Sequence, residues 1–215
     1  MKEISKTLLL SILAGILICI GCCVNLLLIN DNKYLGAFLF SAGLFFICEL
    51  GLKLFTGAVG YALENNIKNN LLLLVILIGN AIGSFVTFII VRFTRIYDTL
   101  HTNALNVINT KLNDTWYSIL LLAILCGILI YLGVETYKRS SNNFAKILGI
   151  IFCVMVFILL SAEHCIANIG YFLLASSYTL KGFLYFILMV LGNTIGGLLI
   201  PTIMLIVNKL SSKEG

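Results

Sequence analysis

The sequence predicts an all-α integral membrane protein of six transmembrane helices, laid out as two inverted three-helix repeats whose second and fifth helices are broken. Three observations carry this. Hydrophobic residues make up 60% of the 215 and charged residues only 11%, with a mean hydropathy of +1.09, more apolar sequence than a soluble core can use. A crossing takes about 20 apolar residues, and the apolar length suffices for six of them. Polar and glycine-rich interruptions then fall at matching places in the two halves, inside runs that are otherwise apolar.

The first span is read from Thr7 to Ile29, too long for a signal-peptide core and without a convincing small-residue cleavage site, and therefore retained. It ends in the polar turn Asn30-Asp31-Asn32-Lys33. The second begins near Leu35 and is interrupted after Cys48 by Glu49, Gly51, Lys53, Thr56, Gly57 and Gly60. Glu49 and Lys53, four apart, are placed to pair on one helical face, which lowers the cost of holding charge in a membrane. A non-helical loop is expected around Leu54-Phe55-Thr56, followed by a second half-helix; irregular backbone at that depth must be buried in protein or line a cavity. Span three covers Asn70 to Val91. The polar stretch from Arg92 to Trp116 predicts short helical pieces on the outer surface, with His101 a solvated loop residue. Span four runs from Trp116 to Tyr137, span five from near Lys146, and span six from Gly182 to Val207, with the only proline, Pro201.

Span five is broken at Ser161 to Gly170, SAEHCIANIG, where Glu163 and His164 stand in the middle of an apolar run. An ionised side chain at the bilayer centre costs roughly 2.5–3.5 kcal/mol on insertion scales, so such a pair marks a site of function or a histidine used as an interhelical packing device. Aligning Leu54 with His164 superposes LFTGAVGYAL on HCIANIGYFL, and the next span of each half then carries GNAIGS (79–84) and GNTIGG (192–197). Three spans per half give the halves opposite orientation, and inverted repeats with matching broken helices point to a midplane transport site. Each break also aims a half-helix N-terminus, favourable for an anion, at the centre. The whole of 1–215 is one transmembrane domain: residues 1–91 form the first half, 92–115 an outer connecting segment and 116–208 the second half.

Charge sets the orientation. With the N-terminus inside, inner segments hold Lys2, Lys6, Lys68, Lys138, Arg139, Lys146, Lys209 and Lys213, and outer ones Lys33, Arg92, Arg95, Lys111 and Lys181; this favours both termini in the cytoplasm. Scattered basic residues give no nucleic-acid stripe. The seven cysteines lie in apolar runs, an odd number that describes no disulfide framework. Cys19, Cys22 and Cys23 read better as small buried hydrophobes than as a metal site. There is no nucleophile elbow, phosphate loop or metal-ligand spacing, so an enzyme is not expected and neither metal nor cofactor is implied.

These residues resemble the formate/nitrite transporter family, pentameric channels with an aquaporin-like six-helix protomer, over nearly the whole chain. SAGLFFICELGLKLFTG (41–57) resembles the family's broken second helix, SAEHCIANIG its broken fifth and LGNTIGG its sixth; EH-x-x-AN followed by LGN-x-IGG is specific in that order. The chain is a short, divergent example. The resemblance implies that His164 is the central pore histidine, with Thr56 its hydrogen-bonding partner. It implies an outer constriction of Leu54 and Phe157 and an inner one of Phe40, Leu44 and Phe157, with Phe55 beside them on the loop. Lys111 and Lys146 match vestibule lysines, and Asn168 and Asn193 match asparagines supporting the half-helices. Glu163 is expected to brace the broken helix or a subunit interface.

The sequence departs from the family at Gly127, where many members have asparagine, at Lys53, where many have glutamate, and in a shorter loop between spans five and six. A pore wider or less polar near Gly127 is the expectation. The implied partners are a small monovalent anion (formate, nitrite or hydrosulfide) or its conjugate acid, membrane lipid and four further copies of the chain, in the plasma membrane. A passive channel for small neutral solutes and a non-transporting scaffold subunit are the alternatives.

Overall fold

In the computed structural model, which describes residues 2–212, the described chain is helical with no strand. The helices are α1 (Lys2–Leu28), α2 (Lys33–Glu49), α3 (Phe55–Ala58, extended by a 3₁₀ turn Val59–Tyr61), α4 (Ile67–Arg92), α5 (Tyr97–Asn113), α6 (Trp116–Arg139), α7 (Asn143–Leu159), α8 (Cys165–Leu174) and α9 (Leu180–Ser211). Most begin on a side chain that accepts one of the backbone N–H groups left free at a helix start: Asn32, Asn66, Thr115, Asn142, His164 and Thr179. Four helices, α1, α4, α6 and α9, are long and apolar enough to cross a membrane. Lys213, counted above among the inner charges, lies outside the described residues.

Packing repeats between the halves. Helix α1 lies on α4 and α2, α6 lies on α9 and α7, and α2 meets α7 between them. Both main crossings close onto glycine. A Cβ on Gly15 would sit 2.1 Å from the carbonyl oxygen of Asn80, and one on Gly127 would sit 2.4 Å from that of Asn193. The missing side chain at Gly127 is thus used by the α6–α9 crossing, and the expected widening of a pore beside it does not occur.

The two breaks share one backbone path at an offset of 110 residues (51 to 161, 54 to 164). Helix α2 ends at Glu49, Gly51 turns at φ +63°, and Leu52 N–H returns to Ile47 at 2.9 Å before Leu54 runs extended into α3. Helix α7 ends at Leu159, Ser161 turns at φ +53°, and Ala162 N–H returns to Phe157 at 2.9 Å before His164 runs extended into α8. Glycine takes the left-handed conformation freely; serine at 161 holds it at a cost of about 1–2 kcal/mol.

Three expectations are corrected here. The first break lies at residues 50–54, so Phe55 and Thr56 open α3 instead of forming a loop, because the amide of Phe55 is capped by Asn80. Glu49 and Lys53 do not pair: the helix ends between them, and Glu49 accepts the hydroxyl of Tyr137 instead. The outer segment is one 17-residue helix, α5, whose buried Leu100, Ala104 and Ile108 repeat every four residues. His101 is part of it, half-buried, stacked on Tyr97 and 2.8 Å from the carbonyl oxygen of Leu174, not a solvated loop residue.

Candidate functional site: two facing helix breaks

The breaks meet side chain to side chain. His164 is 1% exposed, and its Nε2 lies 2.9 Å from the hydroxyl of Thr56, which is fully buried. Its Nδ1 accepts the N–H of Ala167 at 3.1 Å. A backbone N–H can only donate, so Nδ1 carries no proton, and Nε2 is the nitrogen that donates to Thr56. Phe157 stacks on the ring at 5.7 Å between centroids, and Phe40 meets Phe157 edge-on at 5.8 Å. Both rings are buried, as are Leu44 and Leu54.

One asparagine staples each break. Asn80 of α4 accepts the N–H of Phe55 at 2.9 Å and donates to the carbonyls of Ser11 at 2.8 Å and Lys53 at 2.9 Å. Asn193 of α9 accepts the N–H of Cys165 at 2.8 Å and donates to Ala123 at 2.8 Å and Glu163 at 2.7 Å. Asn80 was detectable from the repeated GN-x-IG, yet the resemblance pointed only to Asn168 and Asn193. Asn168 serves the second break alone: its amide nitrogen donates to Glu163 and to the carbonyl of His164. With Cys165 and Ala167 N–H taken by Asn193 and His164, those α8 amides are capped within the chain and not offered to an anion.

Glu163 is 2% exposed. Its Oε2 accepts from Lys111 Nζ at 2.5 Å and from Asn168 Nδ2 at 2.8 Å. Lys111 comes from the end of α5, so the outer helix supplies the counter-charge for a carboxylate buried in α7–α8. That pairing was not read from the sequence, which separates the two by 52 positions.

Two cavities lie at the breaks, one lined by residues of each. One, of about 100 Å³, is lined by Lys111, Phe157, Ser161, His164, Asn168 and Tyr171 among others. The carbonyl oxygen of the Asn168 side chain is buried without a hydrogen-bond partner. The other cavity, of about 200 Å³, is lined by Leu44, Leu54, Lys53, Tyr137 and Lys138 among others. Leu54 shares this lining with Leu44, while Phe157 lines the smaller cavity. Phe55 lines neither cavity. Lys146 also lies outside them, in a neighbouring recess with Glu49 and Tyr137. Lys138 lines the larger cavity and was missed, since it reads from sequence as an ordinary basic residue ending a span.

The sequence profile described as formate/nitrite transporter matches residues 1–207. A relative from Bacillus subtilis (strain 168), described as an uncharacterized transporter, YrhG, is 29% identical over 212 residues, covering 88% of this chain and 80% of its own. Among solved structures, one described as a pentameric formate channel with formate bound superposes with a TM-score of 0.82 at 23% identity, over 97% of this chain and 98% of that one. A second, an FNT family ion channel, gives 0.78 at 24% identity, over 90% and 86%. These similarities in fold and family are to channels and transporters, not enzymes.

Proposed function

Since the chain belongs to the formate/nitrite transporter family, we propose that it is a membrane channel for small monovalent weak-acid anions, formate, nitrite or hydrosulfide, with a proton relay at His164. In this reading it crosses the cell membrane six times, as two halves of opposite orientation with both termini in the cytoplasm, and assembles as a homopentamer. The observation that carries it is the imidazole of His164 held on Thr56 between apolar side chains, at the head of a cavity that also holds Lys111.

An unpaired ion cannot cross the ring of Phe40, Leu44, Leu54 and Phe157 cheaply; the neutral acid can. An anion reaching the smaller cavity meets Lys111 and the edge of His164. The ring takes a proton from solvent at Nδ1, breaking its hydrogen bond with Ala167 N–H, and the adjacent anion stabilises the imidazolium. It then gives a proton to the anion, leaving neutral acid and neutral imidazole. The free carbonyl oxygen of Asn168 is an acceptor for the hydroxyl of that acid.

Purified protein in liposomes, given formate, nitrite, hydrosulfide, lactate, acetate and water at two pH values, tests the reading. Flux of one or more of the first three is expected, rising as pH falls. His164→Asn and His164→Phe should flatten the pH profile; intact flux with an unchanged profile removes the relay. The apolar ring itself favours a second reading, a passive path for small neutral solutes, in which flux is independent of pH. No flux of any solute leaves a scaffold subunit.

A further inference from the structure

The two mouths differ in charge on residues that the relay does not use. In the smaller cavity the one lysine, Lys111, is matched by Glu163. In the larger, Lys53 and Lys138 stand among Leu44, Leu54, Val134 and Tyr137, with no carboxylate in the lining. Neither lysine is in an ion pair among the described residues. Glu135 and Glu64 act on Lys138 through space, but each nearby carboxylate has its direct contacts elsewhere. Glu49 accepts the Tyr137 hydroxyl and lines the adjoining recess with Lys146. Glu135 accepts the hydroxyl of Tyr61 at 2.6 Å and pairs with Arg139. Glu64 lines a separate recess with Glu135 and Arg139. Lys138 is held in place by the ring of Tyr61, its Nζ 3.3 Å from the centroid.

The repeat sharpens the contrast. At the same 110-residue offset Lys53 occupies the backbone position of Glu163 in the other half, and the carbonyls of both residues are held by the stapling asparagines. The same place in the fold therefore carries an ion-paired negative charge at one cavity and a positive charge without an ion pair, among the described residues, at the other. Two like charges in a recess with apolar walls focus their field and concentrate counter-ions there.

We infer that Lys53 and Lys138 form an anion-collecting site for a small monovalent anion, immediately outside Leu44 and Leu54, and that the channel loads anion more readily from this mouth than from the Lys111 mouth. The second half of the statement rests on the channel reading; the first does not.

Cys48 lines the same cavity and is half-buried, so it reports the local potential without any transport. Full-length protein is treated with methanethiosulfonates bearing a sulfonate or a trimethylammonium group, and modification of the Cys48 peptide is followed by mass spectrometry. The ratio of the two rates cancels the fraction of thiolate, which both reagents share. Wild type should favour the anionic reagent, less so at high salt. Lys53→Gln with Lys138→Gln should lower the ratio about tenfold, the low end of enrichment by a focused field. Lys53→Gln alone, at an exposed side chain with no ion pair, should lower it in part and keeps the test valid if the double variant does not fold. A wild-type ratio near one, or a ratio unmoved by Lys53→Gln, overturns the site. In oriented liposomes the half-saturating formate concentration should be lower on the Lys53 side, and the two sides should converge in the double variant. Equal values on both sides in wild type overturn the sided loading, while an intact labelling ratio without any flux upholds the site and sinks the channel reading.

Discussion

Lys111 and Glu163 form an ion pair taken almost wholly out of solvent, with side-chain exposures of 11% and 3%. Such a pair contributes little net stability against a well-packed apolar replacement, but removing one partner strands the other charge at a cost of about 3–5 kcal/mol. Lys111→Met should therefore destabilise the protein by about that amount, read as a lowered unfolding midpoint in detergent. The single Asn168 amide that remains on Glu163 cannot compensate. Adding Glu163→Gln to Lys111→Met should recover most of the loss, because the neutral amide still accepts from Asn168. If the double variant is no more stable than the single one, the pair is held by packing and not by charge. The same geometry argues that Lys111 serves first as the brace of the second break and only then as a cation facing the cavity.

At the scale of helices, both breaks are stabilised by the same device, an asparagine from the long helix that follows each break, Asn80 of α4 and Asn193 of α9, that pairs with three backbone groups. Asn193→Leu removes one acceptor and two donors from buried backbone, at about 1 kcal/mol per bond, so a loss of about 3 kcal/mol is expected, with Asn80→Leu costing about the same. Thermal unfolding of both variants measures it, and a loss at one site only would show that the repeat is not energetically symmetric. Gly127→Asn gives the family's commoner residue at that place, yet its Cβ would fall 2.4 Å from the carbonyl oxygen of Asn193. Helices α6 and α9 would have to part, so reduced yield and stability are expected and no gain of pore polarity; a stable variant with wild-type melting would contradict the packing described. Much of this layout was legible. The breaks announce themselves because Glu163, His164, Glu49 and Lys53 interrupt apolar runs, and the staple is written twice as GN-x-IG. Less legible was anything set by partners distant in sequence. The polar composition of α5 hid its stripe of Leu100, Ala104 and Ile108, and nothing local to Lys111 or Glu163 names the other. Lys146 matched a family position by spacing, but the turn at Gly51 and the end of α6 put Lys53 and Lys138 against the cavity instead.

Across the whole molecule charge and oil alternate around the breaks: Lys53 and Lys138 line the larger cavity, Phe40 and Phe157 pack edge-on beside His164, and Lys111, matched by Glu163, lines the smaller cavity. In the channel proposed above, lysines at the mouths favour the anion and the apolar centre favours the uncharged acid, so in that reading the proton joins between them and leaves on the far side. Charge then moves across the apolar section only as a neutral pair. Membrane potential alone does work on net charge, about 2.3 kcal/mol per unit charge per 100 mV, and so has no purchase on that step. In liposomes with equal pH on both faces, a potassium diffusion potential should leave the rate of formate entry unchanged within about twofold, while one pH unit of gradient without a potential should drive accumulation toward about tenfold, the ratio at which the neutral acid is balanced. Uptake of radiolabelled formate into the vesicles reads both conditions. Entry driven by the potential at equal pH would mean that the bare anion passes Leu54 and Phe157, and the relay at His164 would then be unnecessary.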